Sequence, residues 1–312
     1  MNEIEGKVIP MLYGGIVADA LGVPVEFKKR DSYFITDMTG YGTYNQPPGT
    51  WSDDTSLTMC LVENYLDSGT MEDLMKKFER YYQEGYWTPF GQMFDIGIAT
   101  REAILNYQKG IAIRDCGGKG EYDNGNGALM RIAPIVPILV NITNSDERKR
   151  RVIEVCELTH GHIRSHISCI YYVEYMVALY KGADKFVAYQ QTNQLIKDMF
   201  QDEKELIHFK RILGEEIEKI SREEIGSNGY VVTSLEASLW SFLTSDSYQE
   251  AVLTAVNLGD DTDTIGFITG TIAGLYYGLE AIPQNWLKQL VDFSRIEEKV
   301  QQFCKWLNKK AI

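Results

Sequence analysis

Aspartate and hydroxyl side chains are concentrated in two short clusters, Trp51–Thr55 (WSDDT) and Gly259–Thr264 (GDDTDT). Each cluster directly precedes an apolar stretch with helical spacing. Asp, Ser and Thr are preferred helix N-caps and the helix dipole favours negative charge there, so capping alone can explain either cluster. A cap uses one side-chain oxygen, however, whereas the two turns together hold five aspartates. Carboxylates crowded in this way repel each other unless a cation neutralises them.

The ligand chemistry of these clusters is that of a hard cation. Carboxylate and hydroxyl oxygens without a neighbouring Cys or His suit Mg²⁺, Mn²⁺ or Ca²⁺ and not Zn²⁺. The EF-hand pattern does not fit, because the Gly and the Glu that such a loop requires are missing. If the two turns meet in the fold, they could hold two ions about 3.5–4 Å apart.

The elements that must position the clusters are predicted to be helices. Apolar residues at helical spacing follow the first cluster at 57–65 and recur at 74–82 and 232–242. Alternating apolar and polar runs are few and short, which disfavours an all-β or α/β fold. The charged segment at about 195–226 predicts a pair of amphipathic helices on the surface. No linker rich in Pro, Gly or Ser divides the chain, so we expect a single domain over 1–312.

The helix after the second cluster carries Gly266, Gly270, Gly274 and Gly278 at four-residue spacing. Each glycine in a helix interior costs about 1 kcal/mol relative to alanine. Four of them on one face predict that another backbone packs very close, as it would against a central helix. A membrane helix with small-residue spacing is the alternative, but the run is too short and no second span is found.

Composition narrows the class of protein. The chain has 312 residues, of which 44% are hydrophobic and 24% charged, and this is typical of a globular protein. A net charge of -13 disfavours a nucleic-acid-binding face. No stretch approaches 18 uninterrupted apolar residues and no secretory signal is visible, so we expect no membrane partner. The five scattered cysteines suit a reducing compartment, which predicts a cytoplasmic protein.

Taken together, the motifs of this sequence resemble those of the ADP-ribosylglycohydrolase family. The two aspartate clusters are similar to its two metal-binding signatures. Further segments match in the family's order over roughly residues 7–280: GGIVADALG at 14–22 with VEF at 25–27, GQMFDIG at 91–97, GNGALMR at 125–131, THGH at 159–162 and GYVV at 229–232. The 91–97 segment is similar to one in the branch that activates dinitrogenase reductase.

The resemblance implies an all-α fold, a compact orthogonal helical domain with a central cleft that holds a binuclear Mg²⁺ or Mn²⁺ centre. It implies hydrolysis of an N- or O-glycosidic bond between ADP-ribose and an acceptor. The metal ligands carried over residue by residue are Ser52, Asp53, Asp54, Asp261, Asp263 and Thr264. Asp260 stands where many members have glycine, so we do not expect its side chain to be a ligand.

The resemblance implies catalytic roles for four carboxylates: Glu26, Asp54, Asp95 and Asp261. Glu26 matches a carboxylate that is often placed on a mobile loop, although it could equally be a solvated loop residue. Asp95 could act as a base or hold the guanidinium of an arginine acceptor. Its alternative role is the N-cap of the helix that follows it.

A glycine- and asparagine-rich stretch could bring backbone N–H groups against a diphosphate, although such a stretch is usually only a turn. Tyr230 could stack on a base or ribose, or could be a core tyrosine. His160 is expected near the ligand by resemblance, whereas a structural role is the alternative for the histidines at 160–166. The candidate substrate-binding residues are Asn124, Gly125, Asn126, Gly127, Ala128, Met130, His160 and Tyr230.

The sequence therefore favours a metal-dependent hydrolase that removes ADP-ribose from a protein side chain, and it favours arginine as that side chain. One alternative is a module that binds ADP-ribose or a nucleotide without turnover. Others are hydrolysis of a different linkage, in serine or a small molecule, and a phosphohydrolase acting on small nucleotides. The sequence does not predict an oligomeric state.

Overall fold

The computed structural model describes residues 1–214 and 216–310. These residues form fourteen α-helices joined by loops and short 3-10 turns, with three isolated β-bridges and no strand among them. The predicted all-α class is confirmed. In chain order the helices are α1 Glu3–Gly22, α2 Asp53–Leu66, α3 Met71–Glu84, α4 Ile98–Gln108, α5 Gly127–Arg131, α6 Val136–Leu139, α7 Ser145–Cys156, α8 Ile163–Tyr180, α9 Lys185–Met199, α10 Val231–Leu243, α11 Tyr248–Val256, α12 Thr262–Tyr277, α13 Gln284–Gln289 and α14 Phe293–Lys310.

The centre of the fold is the crossing of α1 and α12. A Cβ atom built on Gly270 would lie well inside contact distance of the Gly14 carbonyl oxygen, and one on Gly274 would collide with the Pro10 carbonyl. Glycine is required here because the two backbones are too close for any side chain. The predicted close helix crossing is thus observed. Gly278 takes no part, because it ends α12 with a φ of +85° and has nothing within 4 Å of a Cβ position.

Helix α1 is buried almost throughout. Over Glu3–Val25 the chain is long and apolar enough to cross a membrane by length and composition, which the sequence analysis did not expect. The apolar window of this helix is entirely buried inside the fold, as expected for a core helix. Helices α11 and α10 pack on α12, whereas α14 and α2 pack on α1. The remaining helices pack around these two groups.

The last turn of α1 connects the two aspartate clusters. Asp19 in that turn binds the first residues of α2, and the carbonyl of Gly22 accepts a hydrogen bond from the Thr262 hydroxyl at the start of α12 (2.9 Å). The N-termini of α2 and α12 are therefore held side by side by the end of one central helix.

The prediction of a second amphipathic helix within 195–226 is wrong. Helix α9 covers the first part, but the chain then runs through separate 3-10 turns, and Glu215 lies outside the described residues. Side chains from elsewhere take the carbonyls that a helix would use itself. Asn193 donates to the Ile212 carbonyl, and the Arg30 guanidinium donates to the carbonyls at 222 and 225. These long-range bonds hold the segment in a non-helical path.

Candidate functional site

The two aspartate clusters meet at the N-termini of α2 and α12. Ser52 is the N-cap of α2 and Asp261 that of α12. The Thr264 hydroxyl lies 3.1 Å from Oδ2 of Asp54 and joins the two helix ends directly. The condition on which the sequence-based binuclear site depended is therefore met by the geometry.

Asp19 is a site residue that the sequence reasoning missed. Its carboxylate is fully buried and accepts hydrogen bonds from the backbone N–H and hydroxyl of both Ser52 and Thr55, with distances of 2.5–3.2 Å. Burial raises the pKa of Asp19 to about 7 despite these bonds. The carboxylate fixes the first turn of α2. The available signal was a single acidic residue within the apolar segment GGIVADALG.

Carboxylate oxygens converge in two overlapping groups. Asp19, Asp54 and Asp263 bring oxygens within 4.8 Å of one another, and so do Glu26, Asp95 and Asp263. Burial raises the pKa of Asp54 and of Asp263 well above the usual range, and the neighbouring carboxylates raise both further. Asp263 belongs to both groups and links them.

Three oxygens in these groups have no hydrogen-bond partner among the residues that the structure describes. They are Oε2 of Glu26, Oδ1 of Asp54 and Oδ2 of Asp263, and all three are buried. A buried carboxylate oxygen without a donor is costly unless a proton or a cation reaches it. Burial, reinforced by Asp95 and Asp261, raises the pKa of Glu26 to about 9. The oxygen-only donor set and its unpaired atoms fit hard divalent cations.

The remaining predicted ligands lie around the same point. Asp53 is buried, its Oδ2 accepts from the backbone N–H of Gly97 (3.3 Å), and burial followed by Asp95 raises its pKa well above the usual range. Asp261 accepts from the amide of Asn126 (2.7 Å). Asp260, like Asp53 and Asp261, lies outside the two groups of converging oxygens, and Oγ of Ser227 lies 3.4 Å from its Oδ2.

Asp95 lies in the loop before α4 and faces the site. The N-cap of α4 is Gly97, so the alternative reading of Asp95 as the cap is wrong. Burial raises the pKa of Asp95, while the Tyr44 hydroxyl lowers it. Tyr44 lies beside both Asp95 and Glu26, and its buried hydroxyl has no well-formed hydrogen bond. Tyr44 is a second residue of the site that carried no motif in the sequence.

A cleft of about 620 Å³ opens beside the carboxylates. Its lining includes the following predicted residues: Glu26, Asp53, Asp95, Asn124, Gly125, Asn126, Gly127, Met130, His160, Tyr230, Asp261 and Thr264. Four predicted residues do not reach the cleft surface and lie beneath it: Ser52, Asp54, Ala128 and Asp263. Ala128 is a packing residue of α5 rather than a candidate for direct contact.

The glycine-rich stretch and Tyr230 form one wall of the cleft. The backbone N–H of Asn126 donates to the carbonyl of Gly229 (3.1 Å), and that of Val231 donates to the carbonyl of Asn124 (2.9 Å). This pairing is antiparallel between Gly125 and Tyr230. Two segments that are 105 residues apart in sequence therefore act as one surface.

His160 is held at the cleft by a buried arginine. Nη2 of Arg131 donates to Oγ1 of Thr159 (2.7 Å), and the same hydroxyl lies 2.7 Å from Nδ1 of His160. Among the described residues the Thr159 hydroxyl has no other acceptor for its proton, so we assign that proton to Nδ1 and the imidazole proton to Nε2. Burial, then the charge of Arg131, lowers the pKa of His160 to about 3. His160 is thus a neutral donor facing the wall at Gly125 and Gly127.

The comparisons with known proteins agree with this geometry. The model of the family described as ADP-ribosylglycohydrolase matches residues 1–311. The chain is 32% identical to the ADP-ribosylarginine hydrolase Tri1 of Serratia proteamaculans (strain 568), over 96% of this chain and 80% of that protein. It is 26% identical to the ADP-ribosyl-[dinitrogen reductase] glycohydrolase of Rhodospirillum rubrum, over 92% and 91% of the two chains.

A solved structure entitled ADP-ribosylglycohydrolase-related protein complex superimposes with a TM-score of 0.83 at 28% identity. The match covers 98% of this chain and 100% of that one. Sequence motifs, fold and the full-length family match agree, and the chain belongs to the ADP-ribosylglycohydrolase family.

Proposed function

We propose that the protein is a hydrolase dependent on two divalent cations, Mg²⁺ or Mn²⁺, that cleaves the bond between ADP-ribose and an arginine side chain of a protein. The observation that carries this proposal is the meeting of two acidic helix N-termini in a cleft, with three buried carboxylate oxygens left unpaired. Cations held there by the first and second clusters would bind ribose hydroxyl oxygens and lower the pKa of water.

The arginine linkage is supported by the charge of the cleft and by the relatives. Carboxylates line the cleft from Glu26 and Asp95 to its rim at Glu102, which suits a cationic guanidinium better than a neutral serine. Two relatives that are 32% and 30% identical carry the name ADP-ribosylarginine hydrolase. The negative charge of the cleft would therefore select an arginine acceptor over a serine acceptor.

Different residues of the cleft would have different roles in the hydrolysis. Glycosidic cleavage passes through an oxocarbenium-like state and needs a base for the attacking water. Cations bound beside Glu26 would favour its ionised form, and its Oε2 would then be placed to accept that proton. Asp95 lies beside it and would hold the guanidinium of the leaving arginine. The wall formed by 124–127 and Tyr230, with His160, would contact the remainder of ADP-ribose.

The test is release of ADP-ribose from mono-ADP-ribosylated arginine and serine peptides, with Mg²⁺, with Mn²⁺ and with EDTA. We expect release of intact ADP-ribose from the arginine peptide, dependent on the cation. The variants Asp54→Asn and Asp261→Asn should lose both turnover and Mn²⁺ binding measured by calorimetry. Asp260→Asn is the matched control: Asp260 is in the same turn, but its carboxylate lies against Ser227 and does not line the cleft, so this variant should retain turnover and Mn²⁺ binding.

Other outcomes of the same assay identify the alternatives. Release from the serine peptide alone would reassign the linkage, and appearance of AMP or phosphate would indicate a phosphohydrolase. Binding of ADP-ribose with no release from any substrate would indicate a non-catalytic module. Full activity of both aspartate variants would remove the metal hypothesis.

We also propose a cytoplasmic location. All five cysteines are free and buried in the structure, which suits a reducing compartment. The partner is then a cytoplasmic ADP-ribosylated protein.

A further inference from the structure

The charge of the cleft lining is strongly one-sided. Among the described residues that line it, seven are carboxylic acids: Glu26, Asp53, Asp95, Glu102, Glu121, Asp123 and Asp261. Against these stands one cation, Arg164, because His160 is neutral. Among the described lining residues, Arg164 is therefore the one side chain whose charge attracts an anionic group. Arg164 had no role in the sequence analysis.

Arg164 lies in the first turn of α8 and is only 7% exposed. Its Nε donates to Oε2 of Glu205, which anchors one edge of the guanidinium. Its Nη2 is 3.6 Å from Oε1 of Glu121, which is longer than a hydrogen bond. The Glu121 side chain is 65% exposed, so this second carboxylate is a loose neighbour in contact with water. One edge of the guanidinium is fixed and the other is open to the cleft.

The hydroxyl of Tyr230 lies beside this open edge. Arg164 acts on that buried hydroxyl by its charge and as a hydrogen-bond donor within reach, although the pair falls short of ideal hydrogen-bond geometry. Tyr230 is also paired with Gly125 across the wall of the cleft. The structure therefore places a planar donor fork and the hydroxyl of Tyr230 together, next to the segment 124–127.

We propose that Arg164 and Tyr230 bind a phosphate of the diphosphate group of the substrate, and that Glu121 occupies this place loosely until the phosphate arrives. The ligand's identity rests on the proposed function, since the diphosphate is the anionic part of ADP-ribose. Two N–H groups of a guanidinium match two phosphate oxygens in geometry, which an ammonium group does not. The bound phosphate displaces only an exposed carboxylate, while Glu205 keeps the guanidinium in place.

The experiment measures binding of ADP, ADP-ribose and adenosine by calorimetry with the full chain in Mg²⁺. Arg164→Gln should weaken ADP and ADP-ribose about tenfold or more, the loss expected for a charge-assisted hydrogen-bonded pair, and should change adenosine less than twofold. Arg164→Lys should recover only part of the affinity, because it restores the charge without the fork. Arg114→Gln is the control, since it removes an 83% exposed arginine that does not line the cleft.

A second variant avoids any dependence on how Arg164 contributes to folding. Glu121→Gln alters an exposed side chain and removes the competing carboxylate, so it should tighten ADP and ADP-ribose several-fold without tightening adenosine. Unchanged or weaker ADP binding in Glu121→Gln would overturn the proposal. So would an Arg164→Gln protein that folds and loses ADP and adenosine equally. The binding data do not depend on turnover, so loss of the proposed hydrolase activity would be seen separately in the peptide assay.

Discussion

The metal-free protein should lose stability as the pH rises through the neutral range, because Glu26 is buried among other carboxyl groups. Its pKa is raised from 4.5 to about 9. Between these values the folded state keeps a proton that the unfolded state has released. The unfolded state therefore binds fewer protons, and the free energy of unfolding falls as pH rises. The loss begins near pH 4.5 and ends near pH 9.

Between pH 7 and pH 8.5 the buried histidines do not oppose this effect. The pKa of His160 is lowered to about 3 and that of His166 to about 4, chiefly by burial. These two histidines make the free energy of unfolding rise with pH, but only below the ordinary histidine pKa of about 6.5. Above pH 6.5, a carboxyl group that is protonated only in the folded state lowers the free energy of unfolding by about 1.4 kcal/mol for each pH unit. Over 1.5 pH units Glu26 alone lowers the free energy of unfolding by about 2 kcal/mol, or Tm by about 3 °C for a chain of this size. The buried aspartates act in the same direction.

The assay is Tm against pH in EDTA, repeated with saturating Mn²⁺. Cations neutralise the carboxylates, so the decline should disappear and Tm should rise most at high pH. Glu26→Gln removes one titrating group and should flatten the metal-free slope, whereas Glu102→Gln, at the exposed rim of the cleft, should not. A metal-free Tm that is level or rises from pH 7 to pH 8.5 would refute the reasoning. So would equal slopes in the native protein and Glu26→Gln.

Three further variants test other parts of the structure. Gly270→Ala forces a methyl group into the facing backbone and should cost about 3 kcal/mol by denaturant unfolding, whereas Gly6→Ala in open space should stabilise by up to about 1 kcal/mol. Thr159→Val should raise KM about three- to tenfold and release His160 into a mixture of tautomers, visible in its ¹⁵N shifts; a single tautomer would contradict the assignment. Glu174→Ala leaves a buried arginine partner unpaired and should cost about 3–5 kcal/mol in the same unfolding assay, so a loss below 1 kcal/mol would contradict it.

What the sequence revealed of the site was its local chemistry. Two adjacent aspartates in each of two turns, at the starts of predicted helices, pointed to hard cations before any fold was known. The glycine spacing after Thr264 predicted a close helix crossing, which α1 supplies. The family and the all-α class were predicted correctly from the motifs and confirmed by the comparisons. These features depend on residues near one another in the chain.

What the sequence did not reveal depends on distant contacts. Asp19 has a role because the end of α1 lies against the start of α2. Arg164 lines the cleft from the start of α8, and Tyr44 lies beside Asp95 and Glu26, because segments far apart in sequence meet there. The segment after α9 has helix-like charge spacing, yet its carbonyls are taken by Arg30 and Asn193. Local propensity predicts a helix there, and tertiary hydrogen bonds decide against it.

The α1–α12 crossing has a consequence for the order of events during protein synthesis. The contact between Gly22 and Thr262 joins residues 240 positions apart. At about 5–20 residues per second, the first helix leaves the ribosome at least about ten seconds before its partner exists. During that time an apolar segment that is buried in the finished protein stays uncovered. A chain that stops before residue 262 should therefore be prone to aggregate, and the carboxylate site is assembled only after the second aspartate cluster has been synthesised.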